Sequence, residues 1–125
     1  MIKKVVLTLV TTAILALQAW AGGKDISASD AKAMLETNKS IFLLDVRTPQ
    51  EYSQGRLTGS TLIPISEIER RIQEVPKNKP VVVYCAVGSR SKSASDFLSR
   101  QGYKDVYNMK DGIVGWYRNG FPIQR

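Results

Sequence analysis

Histidine is absent from all 125 residues of this chain, and cysteine occurs once, at Cys85. Each absence removes a class of chemistry. Without histidine there is no Ser-His-Asp or Cys-His apparatus of the usual form. A zinc site would lack both of its favoured side chains in number. One thiol closes no internal disulfide, and it leaves no Cys-x-x-Cys dithiol couple. An apolar run long enough to span a membrane is also missing. The apolar run over residues 5–17 is 13 residues; at 1.5 Å each it reaches only about 20 Å, against roughly 30 Å of hydrocarbon.

That stretch has a different pattern. Lys3 and Lys4 precede it, and Ala19-Trp20-Ala21 follows with small residues three and one positions before a cut. Charged, apolar and small-residue parts in that order are the layout of a secretory signal peptide. Cleavage is expected after Ala21, which leaves 22–125 as a single domain located in the periplasm or outside the cell. No cysteine lies near the cut to carry a lipid, so no stable membrane anchor is expected. Without the leader the balance is 16 basic to 11 acidic residues, a net +5. The basic residues are scattered rather than clustered, so small anions are a better match for this surface than nucleic acid. Neither a metal nor a cofactor is expected.

The rest of the chain alternates between two periodicities. Ser27 with Asp30 three residues on starts a predicted helix through about residue 37, with Ala31, Met34 and Leu35 facing inward. Residues 41–45 (I-F-L-L-D) and 61–64 (T-L-I-P) read as strands. Ser66 and Glu69 read as a capping box for a helix through about Val75. Pro76 and Pro80 bracket a loop, after which V-V-V-Y (81–84) is a third strand. A helix over 90–101 buries Ala94, Phe97 and Leu98 and stops at Gly102. D-V-Y-N-M (105–109) is a fourth strand, and I-V-G-W-Y-R (113–118) a last helical turn. Apolar strands alternating with helices predict an α/β domain, its mostly parallel central sheet flanked by helices on both faces. There is no internal repeat and no low-complexity segment.

Functional loops of such sheets lie beyond the carboxyl ends of the strands. Cys85 stands at that end of the most apolar strand. The loop Ala86, Val87, Gly88, Ser89 then turns into a helix whose first amides point back toward the sulfur, and Arg90 adds a positive charge. Free amides, a helix N-terminus and a cation all stabilise a thiolate, or an anion carried on it. The alternative is a buried structural cysteine, against which the small-residue loop weighs. Loop width separates two chemistries. Cysteine phosphatases usually place five residues between thiol and arginine; here there are four, a tighter ring better suited to one extra sulfur atom.

Three segments together resemble a known family. D-V-R-T-P-Q-E-Y-S-Q-G-R-L-T-G-S-T-L-I-P (45–64) is similar to the first signature of the rhodanese sulfurtransferases. C-A-V-G-S-R (85–90) resembles their six-residue active-site loop, and Y-K-D-V-Y-N-M-K-D-G-I-V-G-W-Y-R-N-G-F-P (103–122) their closing segment. With the leader, the chain resembles the small exported single-domain rhodaneses of the phage-shock protein E type. The resemblance implies a rhodanese-like domain and a two-step transfer. Cys85 takes a sulfane sulfur from a donor such as thiosulfate, and the persulfide is then handed to cyanide or a thiol. Two other functions stay open: a persulfide carrier or anion-binding module without much turnover, and a cysteine phosphatase or arsenate reductase on the same fold.

The resemblance also places Asp45, Arg47 and Glu51 under the active loop. Read as residues, they form a salt-bridged cluster that fixes a strand end to its loop, and this structural role is favoured. Trp116 is expected in the core and Tyr117 at the mouth of the site. Two departures stand out. Arg56 occupies a position where the family usually has histidine, a change expected to cost little chemically, and Asp111-Gly112 replaces the usual Gly-Gly.

Overall fold

The computed structural model describes residues 22–125, so the signal-peptide reading of residues 1–21 lies outside the described residues. Five strands build one sheet: β1 (Lys24–Ile26), β2 (Phe42–Asp45), β3 (Thr61–Leu62), β4 (Val81–Tyr84) and β5 (Val106–Met109). Their order is β1-β5-β4-β2-β3, and every pairing is parallel. The helices are α1 (Ala28–Thr37), α2 (Pro49–Gln54), α3 (Ser89–Arg100) and α4 (Gly112–Arg118).

The strand at the centre explains the architecture. Successive side chains of a strand point to opposite faces, and in β4 all four are fully buried. Val81 and Val83 pack with Ala94 and Leu98 of α3. Val82 and Tyr84 face the other way, into a second core with Ala28 and Ala31 of α1 and Trp116 of α4. Each buried valine contributes about 1.5–3 kcal/mol relative to leaving it in water. Two apolar faces need two covering layers, and the predicted α/β arrangement with helices on both faces is what forms. The edge strands depart from the all-apolar expectation: β1 and β3 are mostly exposed or half-buried.

One predicted helix does not form. Residues 66–75 contain two short 3-10 turns, Ile65–Glu67 and Ile72–Glu74, neither with a side-chain cap. Ser66 and Glu69 therefore make no capping box. Packing decides the segment: Ile68 and Val75 are both buried, and the Tyr103 hydroxyl donates to the Val75 carbonyl at 2.6 Å. Two further elements, β1 and α2, were not foreseen. The α2 start was written in T-P-Q-E: the Thr48 hydroxyl accepts from the Glu51 amide at 3.2 Å while Glu51 Oε1 accepts from the Thr48 amide at 3.1 Å, with Pro49 at the first helical position. Strand β1 carries no such signal; K-D-I is ordered by its pairing with β5.

Candidate active site

The order of the strands reverses between β2 and β4, parallel neighbours near the centre of the sheet, and the loops that follow both strands meet beyond their carboxyl ends. Ligand crevices of open α/β sheets lie at such a reversal. Cys85 follows β4 directly and is fully buried. The chain then turns at Gly88, whose φ of 101° is left-handed and where a Cβ would come within 2.1 Å of the Lys110 carbonyl oxygen. Gly112 answers from the other side: its φ is 65°, and a Cβ would stand 2.1 Å from the Ala86 carbonyl oxygen. These two glycines let the turn before α4 press against the loop.

The first amides of a helix have no partner within it. In α4 they hold the loop, Ile113 N–H donating to the Cys85 carbonyl at 2.9 Å and Val114 N–H to that of Ala86 at 3.1 Å. Asp111 has its own task, since its Oδ2 accepts from the Ala28 amide at 2.8 Å and ties the start of α1 to that of α4.

Around the sulfur the donors converge. Gly88 N–H lies 3.1 Å and Ser91 N–H 3.4 Å from Sγ, and the Ser91 hydroxyl is 3.3 Å away. Burial by itself pushes the thiol upward, but the Ser91 hydroxyl and the amides of Ser91, Gly88 and Val87 outweigh it and hold Cys85 below the ordinary thiol value. Ser91 is fully buried and was not among the residues read from the sequence as candidates. Its signal was a hydroxyl in the first turn of the helix that follows the thiol, where one side chain reaches back to the sulfur.

Arg90 is engaged elsewhere. Its guanidinium forks onto Glu51, Nη1 to Oε1 at 2.8 Å and Nη2 to Oε2 at 3.0 Å, and among the described residues no hydrogen bond runs from it to the sulfur. That fork, helped by Thr48, holds the Glu51 carboxyl at about 2 against the opposing effect of its partial burial. Asp45 and Arg47 form a separate buried pair, Nε to Oδ1 at 3.0 Å and Nη2 to Oδ2 at 2.7 Å. Arg47 also donates to the Gly55 carbonyl at 2.8 Å, joining the end of β2 to the end of α2. Removing one member of such a pair strands a buried charge, at about 3–5 kcal/mol. The cluster expected from Asp45, Arg47 and Glu51 is thus divided: two residues are structural, and Glu51 reaches across to the loop.

Of the other loop residues, Ala86 is half-buried, and Val87 and Ser89 are exposed. Trp116 is buried as expected, its Nε1–H donating to the Pro122 carbonyl at 2.9 Å, whereas Tyr117 is exposed. Arg56 stacks its guanidinium 4.8 Å from the centre of the Tyr52 ring and pairs its backbone with Gln124, which is a structural role. The site as a whole is a cradle of donors around a buried sulfur, suited to holding a thiolate or a small anionic group carried on it.

A family model for the Rhodanese-like domain matches residues 27–119. A sulfurtransferase of Allochromatium vinosum is 37% identical over 99 residues, covering 79% of this chain and 92% of that protein. The thiosulfate sulfurtransferase GlpE of Pseudoalteromonas translucida is 29% identical, covering 74% and 88%. Among solved structures, the rhodanese-related protein of Thermoplasma volcanium superposes with a TM-score of 0.70 at 34% identity, covering 81% of this chain and 97% of that one.

Proposed function

The chain belongs to the rhodanese-like domain family, and from that premise we propose that it moves a sulfane sulfur from an anionic donor of the thiosulfate kind to a thiol or cyanide through a persulfide on Cys85. Sulfur transfer in general is what its relatives do; the donor, the acceptor and the intermediate are our reading. The observation that carries it is the buried Cys85 sulfur facing the Gly88 amide and the Ser91 amide and hydroxyl.

In the first step the Sγ thiolate attacks the outer sulfur of thiosulfate. A new S–S bond forms, and the bond to the sulfonate breaks, so that sulfite leaves with its electron pair. The donors that held the thiolate then face the sulfur–sulfur group, at the N-terminus of α3. An acceptor takes the outer sulfur in the second step and restores the thiolate. Splitting one transfer into two displacements is covalent catalysis that needs neither a histidine nor a metal. Ala86, Val87, Gly88 and Ser89 set the width of the ring. Arg90 closes it and keeps Glu51 turned to one side.

We also propose that residues 1–21 are a leader removed on export, as their charged, apolar and small-residue order suggests. One measurement tests both readings. Intact mass of protein recovered from cells is expected to correspond to a chain starting at Gly22, to rise by about 32 Da, one sulfur atom, on exposure to thiosulfate, and to fall back with cyanide. Cys85→Ser should show no gain. A gain on that variant would end the persulfide mechanism, and a mass that includes Met1 would end the leader reading.

A further inference from the structure

Asparagine is depleted in strands, yet β5 carries one at Asn108, which is 2% exposed. Its register partner is Val83 of β4. Alternation along the strand puts it on the same face as Val106, toward the core that Cys85 shares with α3. Its Nδ2 donates to Asp25 Oδ1 of β1 at 3.1 Å and to the Gly88 carbonyl at 3.4 Å. With acceptors on both of those sides, the amide turns its NH2 group to them. Oδ1 is left buried with no hydrogen-bond partner among the described residues. An unpartnered buried oxygen costs stability. A valine would fill this apolar face without that cost, so core packing does not explain the residue.

The Gly88 carbonyl does. It has two lone pairs and three donors around it: the Lys92 amide at 3.0 Å, the Ser91 hydroxyl at 3.2 Å and Asn108. One donor is in excess. The Lys92 amide is fixed by α3 and the Asn108 amide by Asp25, whereas the Ser91 hydroxyl rotates and has Sγ as a second partner at 3.3 Å. We propose that Asn108 is a positioning residue of the sulfur site: by occupying the Gly88 carbonyl it releases the Ser91 hydroxyl to the Cys85 sulfur whenever that sulfur is anionic. Asp25 reaches the site through Asn108, so a strand at the edge of the sheet orients a donor near its centre. The hydroxyl is at hand again after each transfer, when Sγ returns to a thiolate. That last role rests on the persulfide reading; the rest needs only a Cys85 that ionises.

The test reads the free thiol. Alkylation of Cys85 by iodoacetamide is followed by intact mass from acid to alkaline pH in the parent, Asn108→Val, Ser91→Ala and the double variant. The charges on the elements around the loop, Asp25, Asp45, Arg47, Glu51, Arg90 and Lys110, are the same in all four. Asn108→Val should alkylate roughly two- to tenfold more slowly near neutral pH, the scale of one neutral hydrogen bond. It should meet the parent in alkaline solution, where every thiol is ionised. In the Ser91→Ala background the same substitution should change nothing further, because no hydroxyl remains to be released. Asn108→Ala, which can only leave space, should reproduce both results even if valine crowds α3.

A parent-like profile in both Asn108 variants overturns the proposal. So does an equal fall with and without the Ser91 hydroxyl, which would mean that Asn108 only shapes the loop. Loading with thiosulfate is measured separately: a parent that gains no sulfur ends the persulfide reading and leaves these comparisons intact.

Discussion

Ser91 holds the sulfur with two groups, its amide and its hydroxyl, and the hydroxyl also lies 3.2 Å from the Gly88 carbonyl. When Cys85 is protonated the hydroxyl can donate to that carbonyl; when it is ionised the hydroxyl can turn to the sulfur. In Ser91→Ala the charged form loses a charge-assisted hydrogen bond of about 1.5–3 kcal/mol, so the thiol should titrate higher than in the parent. Alkylation by iodoacetamide near neutral pH should slow and recover in alkaline solution. A variant that alkylates with the parent's pH profile would leave the amides as the sole source of the lowered value. The thiol and its small-residue loop were legible in the sequence because a strand end, a glycine and a helix start stand together there. Ser91 was not, since only the phase of α3 decides which side chain of the first turn reaches back. Arg90 was legible as a charge but not as a pair, because Glu51 lies 39 positions away.

At the scale of elements, the N-terminus of α4 clamps the loop, and Gly112 makes the close approach possible. Gly112→Ala should be destabilising by more than about 1 kcal/mol, since the left-handed φ alone costs that much before the collision with the Ala86 carbonyl is counted. It should also slow sulfur loading, because the loop must move away. Urea unfolding together with the rate of mass gain checks both; a stable variant that loads slowly would separate the clamp from the scaffold. Local signals served unevenly here. The Thr48 and Glu51 box predicts α2 correctly when it is looked for, because both of its hydrogen bonds are local. The Ser66 and Glu69 pair has the same spacing and fails, because Ile68, Val75 and Tyr103 are placed by the core rather than by helical geometry.

The whole molecule joins its layers through β4, and the alternation of apolar strands with helices was enough to predict that. The edge strands escaped full description because their order comes from neighbours, not from their own residues. One ion pair, Glu51 with Arg90, links α2 to the start of α3 where the order of the strands reverses, and it sets an acid limit. Folded Glu51 titrates at about 2, below its ordinary carboxylate value, so the pair's contribution is complete above the ordinary range and fades as pH falls toward about 2. Thermal unfolding of the parent and of Glu51→Gln should therefore converge between pH 5 and 2, as expected for a carboxylate with a depressed value. Curves that stay parallel over that interval would show that the pair adds nothing to stability.

The pairing of β1 with β5 brings Lys24 beside Tyr107 and Ile26 beside Met109, almost the full span of the domain. Contacts of such sequence separation are closed late and slowly, because the loop entropy must be lost before they form. A chain emerging from its N-terminus therefore cannot complete its sheet until the last strand arrives, and the clamp from α4 comes later still. Until then the loop after Cys85 lacks the Ile113 and Val114 amides that hold its carbonyls.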